Sequence, residues 1–89
     1  MIVKFDKGFA KSLKREINPL LKKGVAEFIR KADKATDIHE LPSVKKMKGY
    51  TDFYRYRIGK YRIGFRKIDN HTISLIIVAK RSTIYRRFP

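Results

Sequence analysis

Apolar and polar positions change their period along this chain, from helical spacing in the first half to alternation in the second. Ile2-Val3-Lys4-Phe5 is a short strand candidate. Phe9, Leu13 and Ile17 then recur every fourth residue, as on one face of a helix. Asp6 stands ahead of them as an N-cap candidate. Asn18-Pro19 ends that helix and starts another, with Asn as N-cap and Pro at the first helical position. The second helix carries Leu21, Val25, Phe28 and Ala32 on one face, with Leu20 and Ile29 beside them. Gly24 weakens it by about 1 kcal/mol relative to Ala. Thr36 to Pro42 reads as a loop.

Beyond the loop the period is two. Ser43 to Lys48 predicts a short, basic edge strand, its lysines discouraging stray pairing. The run Phe53-Tyr54-Arg55-Tyr56-Arg57-Ile58-Gly59-Lys60-Tyr61-Arg62-Ile63-Gly64-Phe65-Arg66 predicts two strands. Gly59-Lys60 suits a two-residue hairpin loop with Gly first. That loop pairs Ile58 with Tyr61, Arg57 with Arg62 and Arg55 with Gly64. Asp69-Asn70 is a turn signal. Residues 72–79 are the most apolar run, rich in β-branched residues, and predict a central buried strand. Ser82 is a candidate cap for a last helical turn carrying Ile84, Tyr85 and Phe88. The order predicts an α+β fold in one domain over residues 1–89. A small, mostly antiparallel β-sheet carries an N-terminal helical hairpin packed on one face.

Alternation sorts the hairpin side chains. Tyr54, Tyr56, Tyr61, Ile63 and Phe65 should meet the helices. Arg55, Arg57, Arg62 and Arg66 then share the opposite face, which should be open. Like charges directly opposite one another destabilise a sheet, so this face calls for an anionic partner. Gly64, opposite Arg55, would leave room there for a ligand.

Charge strengthens that expectation. The net charge is +15 over 89 residues. Residues 1–40 contribute +4 and residues 41–89 contribute +11, with Asp52 and Asp69 the only acids after residue 41. Such asymmetry points to a polyanion or an acidic partner. No cysteine is present, so there is no disulfide framework and no cysteine metal site. His39 and His71 fall in predicted loops, and Asp69 beside His71 is turn chemistry. No glycine-rich phosphate loop opens a helix. Neither a metal nor a cofactor is expected. No apolar run approaches the roughly 20 residues of a membrane span. The first residues lack the apolar stretch of a secretory signal, which predicts a cytoplasmic protein.

A basic face with tyrosines can bind RNA through phosphate contacts and base stacking. It can also cleave RNA. The 2′-hydroxyl is a nucleophile already beside the scissile phosphate. An enzyme must hold it in line and stabilise charge on the phosphate oxygens, a task that guanidinium forks suit.

Lys48-Gly49-Tyr50, the hairpin run of residues 53–65, Ile76-Ile77-Val78-Ala79-Lys80-Arg81 and the late Tyr85 resemble the RelE/ParE superfamily of bacterial toxins, and the likeness covers essentially the whole chain. The resemblance implies a ribosome-dependent mRNA endoribonuclease, neutralised by a cognate antitoxin in a hetero-oligomer. It carries the family's site onto Arg55, Arg57, Arg62, Arg81 and Tyr85. Arg62 and Arg81 would stabilise the scissile phosphate, and Arg55 and Arg57 would grip the backbone. Tyr85 would stack on a base or accept a proton, its ordinary pKa of about 10 lowered by the guanidinium groups. The RelE branch typically has lysines at the positions of Arg55 and Arg57. Lys45, Lys46, Lys48, Arg66, Lys80, Arg86 and Arg87 would contact mRNA or ribosomal RNA. Two alternatives stand beside this reading: a ParE-like gyrase inhibitor without nuclease activity, and a non-catalytic RNA-binding domain.

Overall fold

The computed structural model describes residues 1–16 and 18–89. Its elements in chain order are β1 (Ile2–Phe5), α1 (Lys7–Arg15), α2 (Pro19–Lys34), β2 (Val44–Lys46), β3 (Phe53–Ile58), β4 (Tyr61–Asp69), β5 (Thr72–Lys80) and α3 (Arg81–Arg87). The five strands form one sheet in the order β1-β5-β4-β3-β2. Only the β1–β5 pair is parallel. This is the α+β architecture the periodicity predicts.

Helices α1 and α2 cover one face. Phe9, Leu21, Val25, Phe28 and Ala32 pack there on Tyr56, Ile63, Phe65, Ile73, Leu75 and Val78. The Phe28 ring centres 4.3 Å from Tyr56 and 5.5 Å from Phe65. Ile17, the third position of the predicted α1 stripe, lies outside the described residues. Gly24 does more than weaken α2. A Cβ there would lie 2.7 Å from Cγ2 of Ile58, so its absence lets helix and sheet approach closely.

Capping follows the sequence at one helix and departs from it at two others. Asn18 accepts hydrogen bonds from the Leu20 and Leu21 backbone and satisfies two N–H groups at the start of α2. Asp6 holds the N-cap position of α1, but its side chain makes no capping bond. It accepts a 2.7 Å bond from the Ser74 hydroxyl instead, tying the helix start to β5. Ser82 is not a cap. The chain passes directly from β5 into α3, Lys80 takes the cap position, and Ser82 lies inside the helix. The predicted loop of residues 36–42 contains a 3-10 turn, Ile38–Glu40, closed by a capping box between Asp37 and Glu40. His71 N–H donates to the Asp69 carboxylate at 2.8 Å, the turn chemistry expected there.

The apolar run in β5 serves two cores because it contains a bulge. Gly64 pairs with Ile77 and Phe65 with Leu75, leaving Ile76 as the extra residue. The bulge resets the alternation, so Leu75 and Val78 both reach the helix side. Ile76 and Ile77 face a second cluster with Met47, Phe53, Ala79, Ile84 and Phe88. Helix α3 folds back over this second face. Part of the face predicted to be open is therefore a small core. The room expected beside Gly64 is filled by the Phe88 ring, 2.9 Å from where a Cβ on residue 64 would lie. Helix α1 also protects the sheet beyond the end of β1, because Ser12 Oγ accepts the Val78 N–H at 3.0 Å.

Candidate nucleic-acid interface

The hairpin has the register its turn demands: Ile58 opposite Tyr61, Arg57 opposite Arg62, Arg55 opposite Gly64. Gly59 has φ +56, the left-handed value a Gly-first hairpin turn requires. Arg55, Arg57 and Arg62 consequently stand together on the second face. At the end of β5 the chain turns into α3, whose first residue is Arg81. Tyr85 follows one helical turn later, on the same side of α3.

These side chains, with Lys45 and Ser43, line one cleft of about 420 Å³. Among the described residues no carboxylate lines it. Ser43 was read only as the start of the edge strand, not as a site residue, and it lies just outside β2, which spans Val44–Lys46. It has φ +62, an unusual conformation for a serine, and its carbonyl accepts the Arg57 N–H at 3.2 Å. No motif announces such a residue.

Several contacts hold the cluster in place. Arg62 Nη1 donates to the carbonyls of Gly59 and Tyr61, each at 2.8 Å, anchoring the guanidinium on its own hairpin turn. Arg55 Nη1 donates to the Lys46 carbonyl at 3.3 Å. The Arg55 and Arg81 guanidinium carbons lie 5.3 and 5.2 Å from the Tyr85 ring centre, within cation–π range.

Ionisation reflects this crowding of like charge. Burial lowers the pKa of Arg62 most, and Arg57, Arg81 and Arg55 lower it further, while Tyr85 opposes them. Tyr85 is 49% exposed, yet its phenol is held below the ordinary range. Hydrogen bonding by Arg81 is the largest cause. Desolvation opposes it, and the fields of Arg55, Arg81 and Arg62 add to it. The phenolate is thus the form these groups favour.

The remaining predicted contacts are spread out. Lys46, Lys48 and Arg86 line an adjoining groove that shares Arg55 and Tyr85 with the cleft. Arg66 is exposed opposite Phe53 on β3, away from the cleft lining. Lys80 is exposed beside Tyr61, and Arg87 lines a separate groove against α1. His39 and His71, distant in sequence, border one cavity of about 280 Å³. Among the described residues, no group of three or more His, Cys, Asp or Glu is placed to hold a metal ion. No helix among them is long and apolar enough to cross a membrane.

Comparison with known proteins shows where this fold recurs. The family described as "ParE toxin of type II toxin-antitoxin system, parDE" matches residues 3–85. The chain belongs to this family, and so to the RelE/ParE superfamily of type II toxin–antitoxin toxins. It is 36% identical over 90 residues to Toxin RelE3 of Methanocaldococcus jannaschii, covering all of both chains. Among solved structures it is similar to a RelB-RelE antitoxin-toxin complex from Methanococcus jannaschii. The TM-score is 0.79 at 32% identity, over 97% of this chain and 99% of that one. A RelBE2 toxin-antitoxin complex from Mycobacterium tuberculosis shares the fold, with a TM-score of 0.67 at 22% identity over 90% of this chain and 96% of that one.

Proposed function

We propose that this toxin is a ribosome-dependent endoribonuclease that cuts mRNA by in-line attack of a 2′-hydroxyl. The observation that carries the proposal is the Tyr85 phenol placed with four arginines in a cleft that, among the described residues, no carboxylate lines. In the reaction, Tyr85 as phenolate accepts the 2′-hydroxyl proton. The 2′-oxygen bonds to phosphorus and the bond from phosphorus to the 5′-oxygen breaks. The departing oxygen takes a proton from solvent. Arg62 and Arg81 stabilise charge on the phosphate oxygens, and Arg55, Arg57 and Lys45 grip the flanking backbone. Guanidinium groups do not give up their protons at neutral pH; with Lys45 assigned to the flanking backbone, the role of base is assigned to Tyr85.

Lys46, Lys48 and Arg86 extend the contact to RNA beside the cleft. Arg66, Lys80 and Arg87, on outlying surfaces, suit ribosomal RNA. The partner is a cognate antitoxin in a toxin–antitoxin hetero-oligomer. Support comes from the RelB-RelE complex, a toxin bound to its antitoxin, whose toxin is similar to this chain over its whole length. The site of action is the cytoplasm, where translation runs.

A second reading, a gyrase-directed inhibitor without nuclease activity, has one observation in its favour: the matching family carries the ParE description. A purified translation reaction separates the two. The ribonuclease reading expects mRNA cut only in ribosome complexes, leaving 2′,3′-cyclic phosphate and 5′-hydroxyl ends. Intact mRNA together with gyrase-dependent DNA breaks would establish the second reading. Binding of RNA with neither outcome would establish a non-catalytic RNA-binding domain.

A further inference from the structure

Tyr85 forms a wall between two cavities. One is the arginine cleft; the other, of about 440 Å³, also contains Tyr50, Lys48, Arg86, Met47 and Phe88. We infer that this second groove is a subsite for one unpaired nucleobase of the RNA strand whose phosphate occupies the arginine cleft, and that Tyr50 is the ring on which the base stacks. The inference rests on the ribonuclease reading for the neighbouring cleft, and it names a subsite that reading does not require.

Tyr50 is both exposed and fixed, which is unusual for a surface aromatic. It is 47% exposed. Its backbone N–H closes a turn onto the Met47 carbonyl at 3.2 Å. Gly49, with φ +86, supplies a turn conformation that other residues rarely adopt. The ring meets Phe53 edge-on at 5.8 Å and 78°, and Phe53 meets Phe88 in the same way at 5.7 Å and 76°. Phe88 in turn rests on Gly64. The aromatic platform is therefore braced through the second core before any ligand arrives, so little ordering cost remains on binding.

The surroundings match a nucleotide. Met47 and Phe88 are buried apolar side chains beside the groove. Lys48 and Arg86 supply positive charge for the phosphates of the strand, and Arg55 is shared with the cleft. Base stacking on an aromatic ring tolerates any base, since each has a π-face. RNA is recognised mainly through such unstacked bases when it is single-stranded.

The test uses short RNAs carrying a 2′-O-methyl sugar at every position, so that no 2′-hydroxyl can attack. The fluorescent base 2-aminopurine is moved along them one position at a time. Full-length wild type should quench the probe at one position, next to the nucleotide held in the arginine cleft. Tyr50→Phe should keep the quench. Tyr50→Ala should abolish it at that position alone and weaken binding about 5- to 150-fold. Circular dichroism of Tyr50→Ala should be unchanged, as expected for an exposed side chain. Position-independent quenching, or quenching unaffected by Tyr50→Ala, would overturn the subsite. So would loss of antitoxin binding in Tyr50→Ala with RNA stacking intact, which would make the ring a protein contact. Because the RNAs cannot be cut, failure of the ribonuclease reading would leave the quenching result standing.

Discussion

The Phe88 ring occupies the space above Gly64 that any other residue would fill with its own side chain. This contact closes α3 over the sheet. Ile84 of α3 is fully buried, and Tyr85 is the next residue. The position of the candidate base is thus set by a non-local packing contact between β4 and the residues that end the chain.

Gly64→Ala should loosen α3. Three atoms of the Phe88 ring lie 2.9 Å from the added methyl, and a ring in a packed core cannot move aside cheaply. The expected cost is about 1–3 kcal/mol, read by urea denaturation. Because the strain falls on α3, RNA cleavage should decline more than stability alone accounts for. A variant with wild-type stability and activity would show that the ring has room to move.

Tyr85 should titrate below an ordinary tyrosine. Ultraviolet difference titration of wild type against Tyr85→Phe isolates its phenolate signal. Arg81 is the largest cause of the lowered pKa, so Arg81→Ala should move the titration upward. The sign for activity follows: cleavage rises with pH as the phenol ionises and levels off above its folded pKa. Tyr85→Phe should lower cleavage about 10²- to 10⁴-fold and flatten that rise, with RNA affinity retained.

Gly24→Ala tests the approach of α2 to the sheet. The substitution improves helix propensity by about 1 kcal/mol. The added Cβ, however, meets Ile58 Cγ2 at 2.7 Å, and that methyl sits on a stiff β-branched side chain. Overpacking should win, for a net loss of about 1–3 kcal/mol. In an Ile58→Ala background the clash is gone, and Gly24→Ala should become neutral or stabilising. Equal effects in the two backgrounds, measured as a double-mutant cycle, would rule out the contact as the cause.

Ser12→Ala removes the acceptor for the Val78 N–H at the edge of β5. The same hydroxyl donates to the Phe9 carbonyl at 2.7 Å, so one side chain links α1 to the strand. Stranding a partly buried N–H costs about 1–3 kcal/mol. Faster hydrogen exchange at Val78, with α2 protection unchanged, would locate the effect.

The hairpin was legible in the sequence because its turn and its alternation agree. Gly59-Lys60 sets the register, and register alone brings Arg57 opposite Arg62. The buried face was legible for the same reason, from Tyr56, Ile63 and Phe65. Contacts between distant segments were not. Nothing local shows that Ser74 takes the Asp6 carboxylate from its capping role, or that β5 runs straight into α3 and leaves Ser82 inside a helix. The bulge at Ile76 is equally silent, since an unbroken apolar run hides a change of face. Gly64 was read as space for a ligand when its space belongs to Phe88. Arg55, Arg57 and Arg62 were found from alternation, whereas Arg81 and Tyr85 came only with the family resemblance, because their placing depends on how α3 folds back over the sheet.

The most direct test maps 5′-hydroxyl ends of mRNA in growing cells after induction of wild type and of Arg62→Ala. Thermal unfolding of the purified variant checks that losing the two bonds from Arg62 to the hairpin turn has not unfolded it. The account predicts new ends inside reading frames, dependent on translation, with wild type and none with the variant. Growth arrest by wild type with messages left intact would contradict it.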